Sequence, residues 1–290
     1  MLALGFFDGV HIGHGQLFKR AALRAKKLGC LACALTYDPH PQTLITGRPV
    51  PLLCSTDERA ALIRTMYRIP EVIVDPFDAE TAQIPWQDYV ELVIVRRLRA
   101  VHVVAGHDFT FGRGGEGTPA LLSEACRRYG VGCDILPPKR IAGTRVSSTY
   151  IRGLVAEGDM ENAARFLGHA YRLSGTVERG QGLGRRLGFP TANLPLPKER
   201  QAPAWGVYAT RVVWNGRVYP AATNVGIRPT MSATSAPTAE STLLGFDGDL
   251  YGQRIDVDFV SFIRPEKRFP SPEALAQQVR KDMEAAKLRG

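Results

Sequence analysis

The sequence predicts two folds in succession: an α/β domain on a parallel sheet over residues 1–168, then a six-stranded antiparallel β-barrel with a terminal helix over residues 169–290. Three observations carry this. Short apolar runs alternate with segments of helical periodicity through the first half, as in parallel strands joined by crossover helices. After residues 168–171, β-branched and aromatic residues, glycines and prolines take over, as in short strands and tight turns. The chain's 290 residues also exceed what one hydrophobic core usually organises.

Residues 2–7 read as the first strand, and Leu17, Phe18, Ala21, Ala22, Ala25 and Leu28 recur at helical spacing until Gly29 stops them. Residues 30–37 form a second buried strand, ending in Asp38-Pro39-His40-Pro41, where two prolines call for an extended loop. Ser55-Thr56-Asp57-Glu58 has the form of a capping box opening a helix to Tyr67, and residues 71–75 are a third strand. A helix over 85–98, a strand over 101–105, a helix over 118–129 and a strand over 131–136 continue the alternation. Helices over 150–156 and 160–167 follow. Strands are then expected over 171–178, 205–214, 218–225, 240–244 and 255–263, and an amphipathic helix over 272–287.

With 44% hydrophobic and 22% charged residues, the chain can bury a core and is not a disordered polyelectrolyte. It has no apolar run long enough to span a bilayer and no signal-peptide pattern, so a cytoplasmic protein is expected, with no membrane partner. Five cysteines, an odd number, fit a reducing compartment, and Cys30-Leu31-Ala32-Cys33 lies in an apolar run and reads as packing. A net charge of +9 suits a polyanion, either nucleic acid or nucleotide phosphates. Lys and Arg are scattered without interleaved aromatics, and Arg96-Arg97-Leu98-Arg99 falls at a helix end that favours cations anyway, so no nucleic-acid partner is expected.

The chemistry concentrates in Gly5-Phe6-Phe7-Asp8-Gly9-Val10-His11-Ile12-Gly13-His14, at the junction of the first strand and first helix. A helix N-terminus offers unpaired N–H groups to an anion, the glycines let a nucleotide approach the backbone, and two imidazoles can face neighbouring phosphates. A metal-binding histidine pair and a plain surface turn stay open. The first lacks further ligands nearby, and the second leaves Asp8 and both glycines unexplained. Parallel sheets bind ligands beyond the C-terminal ends of their strands, which draws in the loops at 38–41 and 107–117. Residues 112–117 fit GxGxxG but stand apart from the preceding strand, and read as a mobile glycine loop over the site. Arg145 precedes hydroxyls at Ser147, Ser148 and Thr149, which cap a helix or hold phosphate oxygens.

Two motif sets make the chain resemble the prokaryotic bifunctional riboflavin kinase/FMN adenylyltransferase (FAD synthetase) family. The first is Gly5-x-Phe7-Asp8-Gly9-Val10-His11-x-Gly13-His14 with Asp38-Pro39-His40-Pro41 and Arg145-Val146-Ser147-Ser148-Thr149-x-Ile151-Arg152. The second is Gly180-x-Gly182-Leu183-Gly184-Arg185-x-Leu187-Gly188-Phe189-Pro190-Thr191-Ala192-Asn193, then Asn224-Val225-Gly226-x-x-Pro229-Thr230, Glu240 and Phe246-Asp247-Gly248-Asp249-Leu250-Tyr251-Gly252.

The resemblance implies a Rossmann-like nucleotidyltransferase domain that adenylylates FMN to FAD, and a barrel that phosphorylates riboflavin to FMN, both with ATP. It implies ATP contacts at Gly5, Phe7, Asp8, Gly9, His11, Gly13, His14, Arg145, Ser147, Ser148 and Thr149, and flavin contacts at Asp38, His40, Asp108 and Phe109. In the kinase it implies ATP contacts at Gly182, Gly184, Arg185, Pro190, Thr191 and Asn193, with Mg2+ on the last two and Glu240 as the base. The catalytic residues are then Glu240, His14 and His11. Riboflavin, FMN and ATP become the partners, with weak self-association left open. The family usually has Asn where Phe6 stands, His for Thr242, Asp for Gly245 and a longer leader. Two other readings remain: a riboflavin kinase with a weakened adenylyltransferase domain, and a non-catalytic flavin- or RNA-binding regulator.

Overall fold

A computed structural model of the protein describes residues 1–179, 191–227 and 237–289. The chain divides into two compact units, Met1–Ser148 and Thr149–Gly290.

In the first unit β1 (Leu2–Leu4), β2 (Cys33–Asp38), β3 (Glu71–Pro76), β4 (His102–Gly106) and β5 (Gly132–Leu136) form a sheet in the order β3-β2-β1-β4-β5. Every neighbouring pair is parallel. The three residues of β1 are buried on both faces, as a central parallel strand requires. Ala3 packs with Phe18 and Ala21 of α1 (Ile12–Leu28), and Leu2 and Leu4 belong to the opposite core with Ile94 and Leu122. Complete burial of Phe18 stabilises by about 2–3 kcal/mol. Gly29, at φ 62°, makes the left-handed turn that ends α1. Because the chain order reverses beside β1, a crevice opens beyond the C-terminal ends of β1 and β4.

Three connections differ from the expectation. The extended loop expected over 38–41 gives way at its last residue to a helix, α2 (Pro41–Thr46), that was not expected: Pro41 takes the first helical position, which its fixed φ suits, and the extended His40 caps it. After α3 (Thr56–Tyr67), with the expected capping box, and α4 (Ala79–Gln83), the helix expected over 85–98 is α5 (Trp86–Asp88). It runs on as a wider coil over Tyr89–Arg97, with Leu98 N–H bonded to the Val93 carbonyl at 3.0 Å. The glycine loop is tied down: Phe111 and Gly117 exchange backbone hydrogen bonds of 3.2 and 2.8 Å, and Arg113 N–H meets the Ile84 carbonyl at 2.7 Å. Gly112, at φ 74°, passes so close to Trp86 that a Cβ would lie 2.6 Å from its Cα. α6 (Pro119–Arg128) and a hairpin of β6 (Arg140–Ile141) and β7 (Thr144–Arg145) complete the unit.

The division at Ser148 precedes the boundary expected at 168/169, because α8 (Met160–Leu167), which follows α7 (Ser148–Glu157), packs on the second unit's β8 (Tyr171–Thr176) and β13 (Arg254–Pro265). With β9 (Thr191–Pro195), β10 (Gly206–Trp214), β11 (Arg217–Ile227) and β12 (Pro237–Leu243), these strands form a six-stranded antiparallel sheet, in the order β8-β13-β10-β11-β12-β9, among the described residues. The sheet curls until its two edges meet at one bridge, Glu178 N–H to the Asn193 carbonyl at 2.9 Å. β9 is not among the strands that the periodicity predicts.

Cross-strand partners share a face. Tyr208, Thr210, Thr223, Ser241 and Phe259 occupy the inner face, all buried. There Thr210, Thr223 and Ser241 link hydroxyls at 2.6 and 2.8 Å and so satisfy one another. The outer face carries two rows across four strands, Val207-Asn224-Glu240-Asn193 and Ala209-Ala222-Thr242-Thr191. The terminal helix α9 (Pro272–Arg289) packs over that face, bringing Met283 and Ala286 onto Ala209 and Ala222, whose small side chains allow close approach.

Candidate functional site

Beyond β1 the chain passes through left-handed backbone at Phe7 (φ 62°), Gly9 (φ 72°) and Val10 (φ 44°). Such a conformation costs a non-glycine residue about 1–2 kcal/mol, and burial of Phe7 and Val10 holds it here. His11 caps α1: its Nδ1 accepts the His14 N–H at 3.2 Å. The two imidazoles stack with centroids 3.5 Å apart and planes 14° apart. Glycine at position 13 leaves room for this, since a Cβ would lie 3.0 Å from His11 Nδ1. The His14 ring meets Phe7 edge-on, and its Nδ1 is buried with no partner among the described residues. Burial first, then His11 and the Arg59 charge, hold the pKa of His14 well below 6.5, so it is neutral at neutral pH. Among the described residues no cluster of three or more His, Cys, Asp or Glu is placed to hold a metal.

Asp8 is buried beneath this loop and braces it. Its Oδ1 accepts the Leu53 N–H at 2.8 Å, its carbonyl accepts the Ser148 hydroxyl at 3.0 Å, and the neighbouring Gly9 N–H donates to Cys54 Sγ at 3.1 Å. Gly5 N–H bonds the Leu35 carbonyl at 3.3 Å, leaving the loop to start at the sheet. Across the crevice Arg145, at the end of the β6–β7 hairpin, pairs with Asp108 after β4, so an expected phosphate ligand and an expected flavin ligand bind each other. Phe109 stacks on Phe111 at 5.6 Å. On the β2 side Asp38 accepts the Thr56 hydroxyl at 2.9 Å, and the His40 ring lies 4.2 Å from that of Phe6. Ser147 precedes α7, Ser148 opens it, and Thr149 is its next residue and the first of the second unit. Arg59, which the sequence reading passes over, lies here fully buried with Phe6 across its guanidinium at 4.1 Å. Nothing in the local pattern separates it from a solvated helix arginine such as Arg64.

In the second unit the expected Gly182, Gly184, Arg185 and Pro190 lie outside the described residues. Glu240 stands on the outer face of the sheet, directly opposite Asn193 on one side and Asn224 on the other. A cavity of about 280 Å³ lies between this face and α9. Thr191, Asn224, Glu240 and Thr242 line its floor, and Leu275 and Val279 of α9 line the opposite wall. Arg264, Glu266, Lys267 and Phe269 close one end. Asp282 holds the helix down, accepting Arg264 Nε at 3.0 Å, Arg264 Nη2 at 2.7 Å and Gln278 Nε2 at 2.9 Å. Glu266 accepts from Asn224 Nδ2 at 3.3 Å and lies over Gly226, where a Cβ would come within 2.6 Å of its Cδ. A smaller pocket of about 30 Å³ adjoins Phe246, Asp249 and Tyr251, and Thr191 lines both. The residues contributed by the end of β13 and by α9 were not expected, because the charged run at 264–268 reads locally as a solvated turn.

The family model for FAD synthetase matches residues 1–150, and that for riboflavin kinase matches residues 167–289. The bifunctional riboflavin kinase/FMN adenylyltransferase of Pseudomonas fluorescens is 34% identical, over 98% of this chain and 91% of its own. That of Bacillus subtilis is 32% identical, over 99% and 91%. A solved structure described as a macrolide-efflux protein from Streptococcus pneumoniae superposes with a TM-score of 0.87 at 28% identity, over 99% of this chain and 93% of that one. In this chain no helix among the described residues is long and apolar enough to cross a membrane. Both halves match, so neither the kinase with a weakened partner domain nor the non-catalytic regulator is favoured. The chain belongs to the bifunctional riboflavin kinase/FMN adenylyltransferases, which phosphorylate riboflavin to FMN and adenylylate FMN to FAD.

Proposed function

We propose that the ATP of adenylyl transfer lies on the Gly5–His14 loop. Backbone at Gly5, Phe7, Asp8, Gly9 and Gly13 approaches the phosphates, and His11, His14, Arg145, Ser147, Ser148 and Thr149 surround them. Asp38, His40, Asp108 and Phe109 face FMN. The FMN phosphate is already a nucleophile, so no covalent intermediate is needed and positioning with charge stabilisation carries the step. The neutral His14 donates a hydrogen bond without repelling Arg145, and arriving phosphate charge raises its proton affinity as pyrophosphate leaves. Arg145 must exchange Asp108 for phosphate, which couples binding of the nucleotide to release of a flavin-side carboxylate.

Riboflavin occupies the cavity under α9, with Glu240 as the base for its terminal ribityl hydroxyl. ATP lies in the adjoining pocket; Gly182, Gly184, Arg185 and Pro190, which the resemblance assigns to it, lie outside the described residues. Thr191 lines both pockets, and this observation supports the reading most directly: donor and acceptor meet at that residue. Thr191 and Asn193 offer neutral oxygens on the same face as the Glu240 carboxylate, a donor set that suits a hard cation such as Mg2+. When bound, the cation supplies positive charge to the transferring phosphoryl group. The free cysteines support work in a reducing cytoplasm.

Separate assays of the two half-reactions on one preparation test this. Glu240→Gln should lower FMN formation about 100- to 10,000-fold, the range for loss of a general base, and leave conversion of supplied FMN to FAD near wild type. His14→Ala should do the reverse, at about 100- to 1,000-fold. Unimpaired FMN formation by Glu240→Gln, or adenylylation of FMN by His14→Ala within a few-fold of wild type, would refute the assignment, whereas equal loss of both activities marks a folding defect.

A further inference from the structure

We propose that Arg59 is a phosphate-binding residue of the adenylyl-transfer site, a desolvated cation beneath Phe6 that takes the 5′-phosphate of FMN at the C-terminal end of β2. The inference rests on the reading that this crevice is where adenylyl transfer occurs.

Arg59 is 0% exposed, and only its Nη2 is used, donating to the Tyr37 carbonyl at 2.7 Å and to Thr56 Oγ1 at 3.2 Å. Nε and Nη1 are buried with no hydrogen-bond partner among the described residues. A buried guanidinium with unspent donors is costly, and an apolar side chain would fill the same space at less cost. The nearest acidic groups do not relieve it by hydrogen bonding: Oδ1 of Asp8 accepts from Leu53, and Oδ1 of Asp38 accepts from Thr56. Their charges act on Arg59 only through space.

Its position makes sense of that cost. Tyr37 and Asp38 end β2, at the sheet edge where a parallel sheet receives ligands. The ATP phosphates already have the N-terminus of α1, two histidines and Arg145, on the β1 and β4 side. Arg59 stands on the β2 side, free for the second substrate, whose phosphate must come alongside the α-phosphate against like-charge repulsion. A planar fork of N–H donors matches phosphate oxygens. The covering ring is half-buried: it contacts the His40 ring and packs against the margin of the core that contains Tyr37. A dianion attracts a guanidinium far more strongly than an aromatic face does, so FMN displaces Phe6 from it.

The test uses the full chain, with FAD formation from supplied FMN and ATP as readout. Lumiflavin, which carries neither phosphate nor ribityl hydroxyl, serves as a competitive inhibitor against FMN. Arg59→Met should raise KM for FMN by about tenfold or more, the loss of a charge-assisted hydrogen bond, with Ki for lumiflavin and KM for ATP within about threefold of wild type. Arg59→Lys, which keeps the charge and loses the fork, should fall between. Equal weakening of FMN and lumiflavin would mean that the flavin surface had collapsed, and would overturn the proposal. A rise confined to KM for ATP would assign the guanidinium to the triphosphate instead, and unchanged constants would leave it a structural residue. Riboflavin kinase activity of the same preparations reports folding; if Arg59→Met loses both activities, the Arg59→Lys constants decide. His14→Ala, run alongside, separates this inference from the site assignment: if the site lies elsewhere, it too forms FAD at the wild-type rate.

Discussion

Replacing Asp282 by Ala should loosen the helix that closes the riboflavin cavity. The carboxylate is buried and accepts side-chain hydrogen bonds from Nε and Nη2 of Arg264, the first shared between both carboxylate oxygens, and from Gln278 Nε2. The Arg264 side chain is 18% exposed, so the variant leaves its guanidinium largely desolvated, with the Pro265 carbonyl at 2.9 Å and the Phe269 ring at 5.8 Å as its remaining described partners. Removing one side of a buried ion pair costs about 3–5 kcal/mol, and the partial exposure of Arg264 points to the lower end, about 3 kcal/mol. With a urea m-value near 2 kcal/mol/M, the midpoint of the second unit should fall by about 1.5 M. Trp205 and Trp214 report that transition by fluorescence, while Trp86 reports the first unit. KM for riboflavin should rise with the loosened wall, and conversion of supplied FMN to FAD should not change. Replacing both partners, Arg264→Met with Asp282→Leu, should recover most of the stability, because no charge is then stranded. A loss below about 1 kcal/mol, the scale of an exposed pair, would refute the reasoning, as would a double variant no better than the single one.

His14 makes stability depend on pH. Its folded pKa is depressed, so the unfolded chain binds the proton first, and stability should fall as pH drops below 6.5, by up to about 1.4 kcal/mol per unit until the folded pKa is reached. His14→Gln should flatten this part of a stability-against-pH curve measured on the first unit. Gly226→Ala places a methyl against Glu266, an exposed side chain that can swing away, so stability should change by less than about 1 kcal/mol. The contact between Glu266 and Asn224 is then lost, and a riboflavin titration of the kinase reaction should show a raised KM.

Much of the fold is written locally. The spacing of Leu17, Phe18, Ala21 and Ala25 gives the buried stripe of α1, Ser55 and Glu58 form the capping box expected of them, and the HxGH loop opens a helix. These features depend on residues a few positions apart, whose periodicity and dihedral preferences act before any tertiary contact forms. Pro41 shows the limit even there, since the same proline suits an extended loop or a helix start, and the His40 side chain tips it to the helix.

Long-range contacts decided the rest. Alternation along β12 shows that Glu240 faces away from Ser241, but whether that outward face meets water or a helix depends on α9, far along the chain. Asp8 reads locally as one charged residue of the loop, and only the fold brings its Oδ1 to the Leu53 N–H and its carbonyl to the Ser148 hydroxyl. Arg59 reads like any arginine in a first helical turn until β2 and Phe6 enclose it. A side chain's chemistry follows from its covalent structure, but its desolvation, and hence its pKa and its attraction for phosphate, depends on what packs around it, and those neighbours come from chain segments whose meeting no local pattern records.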